Sequence, residues 1–301
     1  NTWAVITTMI LLLILVALFI LMFVPLISSQ AQSLSLLNTE SIQEKIMLLY
    51  YDLNLYLLDR GILIEDVFKD TDIASYLNMN FLPSIFNGIL STLSSIGIGV
   101  ASVLFITFFF LKDKVTFLVG AKKIIPDDHE SETLNSIAKI NDLLSRYFIG
   151  LIFQLLICFV LYFIVLLIFG VENAFVIAFI CAILNIIPYI GPMIGSILAA
   201  SLTMIGGIGS DFQSEILPTA LYVLLGFYIV QLIDNNISQP LIFSNSTKSH
   251  PLEIFLVILT AGFISGIIGM IVAVPLYTII KVIAKEFFPQ YKIVQVLTRK
   301  L

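Results

Sequence analysis

Charge is what this sequence has least of. Only 12% of its 301 residues are Asp, Glu, Lys or Arg, while 59% are hydrophobic. A soluble domain is about 25% charged and about 45–50% apolar. The shortage excludes an ordinary soluble globule, and the apolar excess excludes a disordered chain. A basic surplus is also missing, since 15 Lys and Arg stand against 20 Asp and Glu, for a net charge of −5. That argues against a nucleic-acid binder and against a basic surface for anionic lipid. The two cysteines, Cys158 and Cys181, lie inside apolar runs. They read as small core residues, not as a disulfide framework. A zinc site needs three or four ligands, and the chain has 2 histidines. No metal site and no cofactor are expected.

Catalytic signatures are absent as well. There is no G-x-x-x-x-G-K-[ST] phosphate loop, no H-E-x-x-H and no G-x-S-x-G elbow. No buried nucleophile or carboxylate dyad suits an intramembrane hydrolase. The chain is therefore not expected to be an enzyme. Any transport it performs is expected to be passive or driven by an ion gradient.

What the chain does have is long uncharged runs. About 20 apolar residues cross a bilayer core. Such runs occur at Ala4 to Phe23, Ile85 to Leu111 and Tyr147 to Gly170, the last with Gln154 as its one amide. Others lie between Glu172 and Asp211, between Glu215 and Asp234, and between Glu253 and Lys281. The first run is longer than a signal-peptide core and no basic residue precedes it, which argues against a signal peptide. The first residue is Asn, so the sequence reads as a piece of a longer protein.

Basic residues orient these spans. Segment 28–84 holds three (Lys45, Arg60, Lys69) against eight acidic residues. Segment 112–146 holds six, and the tail from Lys281 holds five. Segments 112–146 and 281–301 are therefore expected in the cytoplasm, and 28–84 outside. The expected fold class is all-α: a multi-pass transmembrane helical bundle with broken or re-entrant hairpins and helical extramembrane segments. Its parts are a transmembrane helix at 1–27, an extracytoplasmic helical segment at 28–84 and a second span at 85–111. A cytoplasmic amphipathic helical segment follows at 112–146, then a transport core at 147–285 and a tail at 286–301. In the outer segment Ile42, Ile46, Leu49, Leu53 and Tyr56 recur at helical steps, after Ser41 and Glu44 at capping-box spacing. In the inner segment Leu134, Ile137, Leu144 and Phe148 do the same. Both stripes are read as packing faces, with a subunit contact as the sharper reading.

Two of the runs are interrupted. The stretch 173–210 is too long for one crossing and is broken at Asn185-Ile186-Ile187-Pro188-Tyr189-Ile190-Gly191-Pro192. Pro188 and Pro192 each remove a backbone donor and bias the preceding residue away from helix. Carbonyls freed this way must face protein or a water-filled cavity. The stretch 251–285 is broken at Gly262 to Gly269, with Gly266 in the middle and Pro275 in its second arm. The two hairpins are expected in opposite orientations. Ile194-Gly195-Ser196-Ile197-Leu198-Ala199 and Ile268-Gly269-Met270-Ile271-Val272-Ala273 agree at Ile, Gly, Ile and Ala. Paired inverted breaks point to a transporter's binding site. Chance agreement and close packing at Gly195 and Gly269 are the plainer readings.

Polar residues gather after the span 216–233. Gln231 is followed by Asp234-Asn235-Asn236-Ile237-Ser238-Gln239-Pro240. A carboxylate in hydrocarbon costs roughly 2.5–3.5 kcal/mol on insertion scales, so it is retained where water, a counter-charge or an ion compensates it. Asp234 reads equally as a helix-end cap or as a cation, solute or proton-coupling ligand. Asn185, Pro188, Tyr189, Gly191 and Pro192 at the break join Gln231, Asp234, Asn235, Asn236 and Gln239 as candidate binding residues. Gly195, Gly266, Gly269 and Pro275 are candidate hinge or packing positions. His250-Pro251 with Glu253 reads as a helix cap.

Four motifs in order resemble the autoinducer-2 exporter family of bacterial membrane proteins. They are Ile187-Pro188-Tyr189-Ile190-Gly191-Pro192, then Asp234-Asn235-Asn236 with Gln239-Pro240, then His250-Pro251-Leu252, then Gly266 and Gly269 with Ala273 and Pro275. The resemblance is strongest over 147–285 and is one of layout before that. It implies a multi-pass bacterial inner-membrane protein that forms a homo-oligomer, with a pentamer as one candidate. It further implies export of a small polar solute of the autoinducer-2 kind in quorum sensing. Monovalent cation (sodium)/proton antiport and a non-transporting oligomeric scaffold are the alternatives. The lipid bilayer and a solute or cation are the expected partners, and no nucleic acid is.

Overall fold

The computed structural model describes residues 5–11, 39–61, 102–113, 130–238 and 249–299, with isolated positions between them. Among the described residues the chain is helical, with an isolated bridge at Ile208 and Ser210 and no strand. The helices are α1 (Thr39–Leu58), α2 (Ser102–Lys112), α3 (Glu130–Ile168), α4 (Ala174–Leu184), α5 (Ile190–Gly206), α6 (Leu217–Ile233), α7 (Pro251–Phe287) and α8 (Lys292–Leu297). Residues 62–84 lie outside the described set, as does most of the first expected span.

The chain divides into two compact units. One comprises 1–121 and 203–218, the other 122–202 and 219–301. In the first, α1 packs on the π-helical turn Phe212–Ile216. Tyr56 meets Phe212 edge-on at 6.0 Å, and the Arg60 guanidinium lies 3.8 Å over the Tyr56 ring. Asp211 caps that turn by accepting from the Ser214 backbone N–H at 2.7 Å.

The second unit is built on α3. Its 39 residues span about 58 Å at 1.5 Å per residue, twice a bilayer core of about 30 Å. The helix passes from the charged inner segment into the uncharged span without a break at 146. Its inward stripe is Ser136, Leu143, Tyr147, Gly150, Gln154, Cys158, Tyr162 and Leu166. The stripe expected from sequence is offset from this one, with Ile137 and Phe148 43% and 49% exposed. Lys139 pairs with Glu286 of α7. The outer face of the span is apolar, with Ile152, Phe153, Leu156 and Leu167 all more than half exposed. That suits contact with lipid, where the helix satisfies its own backbone.

α6 runs against α3 in the opposite sense. Phe169 stacks on Tyr222 at 5.5 Å, and Tyr162 on Phe227 at 4.2 Å. Between those pairs a Cβ at Gly226 would come within 2.4 Å of Val165 Cγ1, so glycine sets the approach. α4 and α5 form the first broken hairpin. Cys181 donates to the Gly195 carbonyl at 3.2 Å between its arms. A Cβ at Gly191 would sit 1.8 Å from the Leu184 carbonyl oxygen.

α7 is the second hairpin. Its two arms meet at Ser265 and Gly266, where Gly266 takes φ 62°, ψ −145°. That region is essentially open to glycine alone. Beside it a Cβ at Gly269 would lie 2.2 Å from the Ala261 carbonyl oxygen. At the base, Lys281 donates to Ser249 Oγ at 2.9 Å, and Tyr277 donates to Glu253 Oε2 at 3.1 Å. His250 caps the first arm, its Nδ1 accepting from the Leu252 N–H at 3.3 Å. Ile258, Ala273 and Val274 of the two arms close over Tyr147, Leu151 and Ile187. The first break therefore packs between α3 and the second hairpin.

Candidate functional site

Four-residue steps keep side chains on one helix face. α3 accordingly presents Gln154, Cys158 and Tyr162 inward, none more than 3% exposed. Gln154 lies two turns beyond Arg146, the last charge on α3, roughly 12 Å along the axis. Asp234 reaches the same place through a change of helix type. α6 gives way at Ile233 to one π-helical turn, Asp234–Ser238. Asp234 and Ser238 point inward from it, while Asn235, Asn236 and Ile237 remain exposed. Such π turns recur at functional sites.

Gln154 Nε2 donates to Asp234 Oδ2 at 2.8 Å, with both side chains buried. The Cys158 thiol also meets the Asp234 carboxylate and accepts from Asn185 Nδ2 at 3.0 Å. Asn185 is held by its place at the end of α4, where its backbone N–H bonds to the Cys181 and Ala182 carbonyls. Its Oδ1 is buried and has no hydrogen-bond partner among the described residues. Leaving a buried acceptor unmade costs roughly 1–3 kcal/mol. The cluster thus joins three helices through two amides, a thiol and a carboxylate. A second chain of bonds leads outward: Tyr162 donates to Gln231 Oε1 at 3.4 Å, and Gln231 Nε2 to Asn235 Oδ1 at 3.0 Å.

The structure distributes the residues singled out in the sequence. Asn185 and Asp234 meet in the cluster, and Gln231 and Asn235 form the outward chain. Asn236 turns back on its own helix and donates to the Leu232 carbonyl at 2.8 Å. Gln239 lies outside the described residues. Pro188, Tyr189, Gly191 and Pro192 shape the turn. Tyr189 adopts φ 67° and meets Phe255 edge-on at 6.0 Å. The carbonyls of Leu184, Ile187 and Pro188 accept from Ile187, Gly191 and Ile190 N–H, and that of Pro192 from the Ser196 hydroxyl. The polar groups of the cluster come from side chains. Gly195 packs on Cys181, Gly266 and Gly269 shape the second hairpin, and Pro275 lies in its second arm. Two members went unassigned from sequence. Gln154 carried a signal, as the only amide of its uncharged span. Cys158 carried none beyond its four-residue spacing from Gln154.

Among the described residues three helices are long and apolar enough to cross a membrane: Glu130–Ile168, Phe212–Ser238 and Leu252–Phe287. The family described as AI-2E family transporter matches residues 1–288. The chain belongs to that family, and it is a multi-pass helical membrane protein. YueF of Bacillus subtilis (strain 168), named as a transport protein, is 36% identical over 203 residues, covering 66% of this chain and 52% of that one. PerM of Escherichia coli (strain K12), named as a permease, is 27% identical over 193 residues, covering 64% and 52%. TqsA of the same organism, named as an AI-2 transport protein, is 29% identical over 116 residues, covering 38% and 31%. The chain spans about half the length of YueF and PerM.

Proposed function

We propose that this chain is the core of a bacterial inner-membrane secondary transporter, not an enzyme, that exports a small polar solute through the Gln154–Cys158–Asn185–Asp234 cluster. The observation that carries this reading is the buried Asn185 Oδ1, without a hydrogen-bond partner among the described residues, in a cluster that the Cys158 thiol joins to a buried carboxylate. Two acceptors held in an apolar span complement a ligand rich in donors. A hydroxylated solute of the autoinducer-2 kind meets that description, and the name of TqsA supports the class. On this reading the partners are the bilayer, the solute and further copies of the chain. The family resemblance suggests a homo-oligomer, with a pentamer as one candidate, and a role in quorum sensing.

Monovalent cation/proton antiport is the second reading, favoured by the same carboxylate. Hard cations take oxygen ligands, and Asp234 then exchanges a proton for sodium. Flux in proteoliposomes separates the readings. Efflux of loaded autoinducer-2 supports the exporter. Proton movement driven by a sodium jump supports the antiporter. Neither flux returns the chain to the oligomeric scaffold and rejects both.

A further inference from the structure

The cluster is buried in this conformation: Gln154, Cys158, Asn185 and Asp234 are all 3% exposed or less. A ligand reaches it only if something moves. Gln231 stands where that movement is smallest. It sits one turn before Asp234 on the same helix, is half-buried, and bridges two environments. Its Oε1 accepts from Tyr162, which is 1% exposed and lies one turn from Cys158 on α3. Its Nε2 donates to Asn235, which is exposed. Tyr162 itself is held by the stacked ring of Phe227 at 4.2 Å, so it does not swing freely. Gln231 has three rotatable bonds before its amide and is half-buried. Both of its bonds are neutral, and the one to Tyr162 is long, so releasing it costs little.

We infer that Gln231 is the gate residue of the site: its amide, strung between Tyr162 and Asn235, closes the polar route from the surface to Asp234. Rotation of this one side chain breaks both bonds and opens the way to Asp234 on the π turn after α6, with the helices left in place. The inference rests on the transport reading of the cluster, yet its test needs no transported solute.

Cys158 is a native reporter, since its thiol lies inside the cluster against Asp234 and Asn185. In a Cys181→Ala background, the probe is N-ethylmaleimide and the readout is the rate of Cys158 modification in membranes. Gln231→Ala, which removes both bonds, is expected to raise that rate about tenfold, the step that about 1.4 kcal/mol controls. Tyr162→Phe, which removes one of the two bonds, is expected to raise it less. Tyr228→Ala on the outward face of α6 is the control and is expected to leave the rate unchanged. An unchanged rate in Gln231→Ala overturns the gate. So does an equal rise in Tyr228→Ala, which would mean general loosening. Either result leaves the transport site to be judged separately by flux through Asp234 variants.

Discussion

Gln154 Nε2 and Asp234 Oδ2 lie 2.8 Å apart across 80 residues of sequence, inside a membrane-spanning helix pair. The pair fixes where the carboxylate points. Removing one partner takes a buried hydrogen bond from the other, whereas removing both is close to neutral. Gln154→Leu is therefore expected to cost roughly 1–3 kcal/mol. The double variant with Asp234→Leu is expected to cost less than the sum of the singles. Thermal unfolding in detergent supplies the cycle, and simple additivity contradicts the pairing.

The contact at Gly226 gives a second expectation. Gly226→Ala drives its Cβ to within 2.4 Å of Val165 Cγ1. Valine is stiff at its first torsion and cannot turn aside. Overpacking of this kind costs roughly 1–3 kcal/mol. Val165→Ala in the same chain should recover most of the loss in melting temperature. A Gly226→Ala protein as stable as the parent would mean that α3 and α6 lie farther apart.

Gly266 should resist substitution for a different reason, since no atom would crowd a Cβ there. Its backbone region costs a side chain on the order of 1–3 kcal/mol. Gly266→Ala is expected to lower the unfolding midpoint with no compensating variant among its neighbours. An unchanged midpoint would place the bend of the hairpin elsewhere.

Much of this fold was legible in the sequence because lipid leaves few choices. Uncharged runs of the right length become helices, and Pro188 and Gly266 fall in the interruptions, whereas Gly191 and Pro192, expected in the first break, lie in the opening turn of α5. The inward face of α3 was less legible. Leu134, Ile137, Leu144 and Phe148 make a sound helical stripe around the charged stretch, yet Ile137 and Phe148 stay exposed; within the span both faces are apolar, so hydrophobic periodicity does not tell core from lipid. Half of the site was visible for the converse reason: Asp234 and Asn185 are conspicuous where polar atoms are costly. Cys158 was not, since a thiol in an apolar run looks like packing until the fold brings Asn185 and Asp234 to it.

Outside the span, Asp211 gives a pH dependence of known sign. The Ser214 hydroxyl and then the Ser214 backbone N–H hold its carboxyl below the ordinary range. A folded value below the unfolded one, near about 3.9, adds stability that is complete above that pH and is lost as pH falls through the folded value. Ser214→Ala removes the larger contribution. Its stability deficit should be present at neutral pH and shrink below about pH 4. A deficit that stays constant into acid would contradict the assignment.

The orientation of the chain is checked by single cysteines replacing Lys69 and Lys122 in a cysteine-free background. An impermeant thiol reagent is expected to reach the first from outside and the second from the cytoplasm. Labelling of both from one side would overturn the inverted arrangement of the two hairpins.

The most direct measurement is flux through Asp234→Asn in proteoliposomes across pH 5.5 to 8.5, a range lying above the ordinary carboxyl value of about 4. The parent flux, whether autoinducer-2 efflux or sodium-driven proton movement, sets the scale. The variant keeps an amide that can still pair with Gln154, so its melting temperature should stay near that of the parent. Its flux is expected to fall by about tenfold or more, the step expected from losing one ligand bond worth roughly 1.4 kcal/mol. Parent-like flux with a parent-like pH profile would show that Asp234 is a structural residue and that the transport site lies elsewhere.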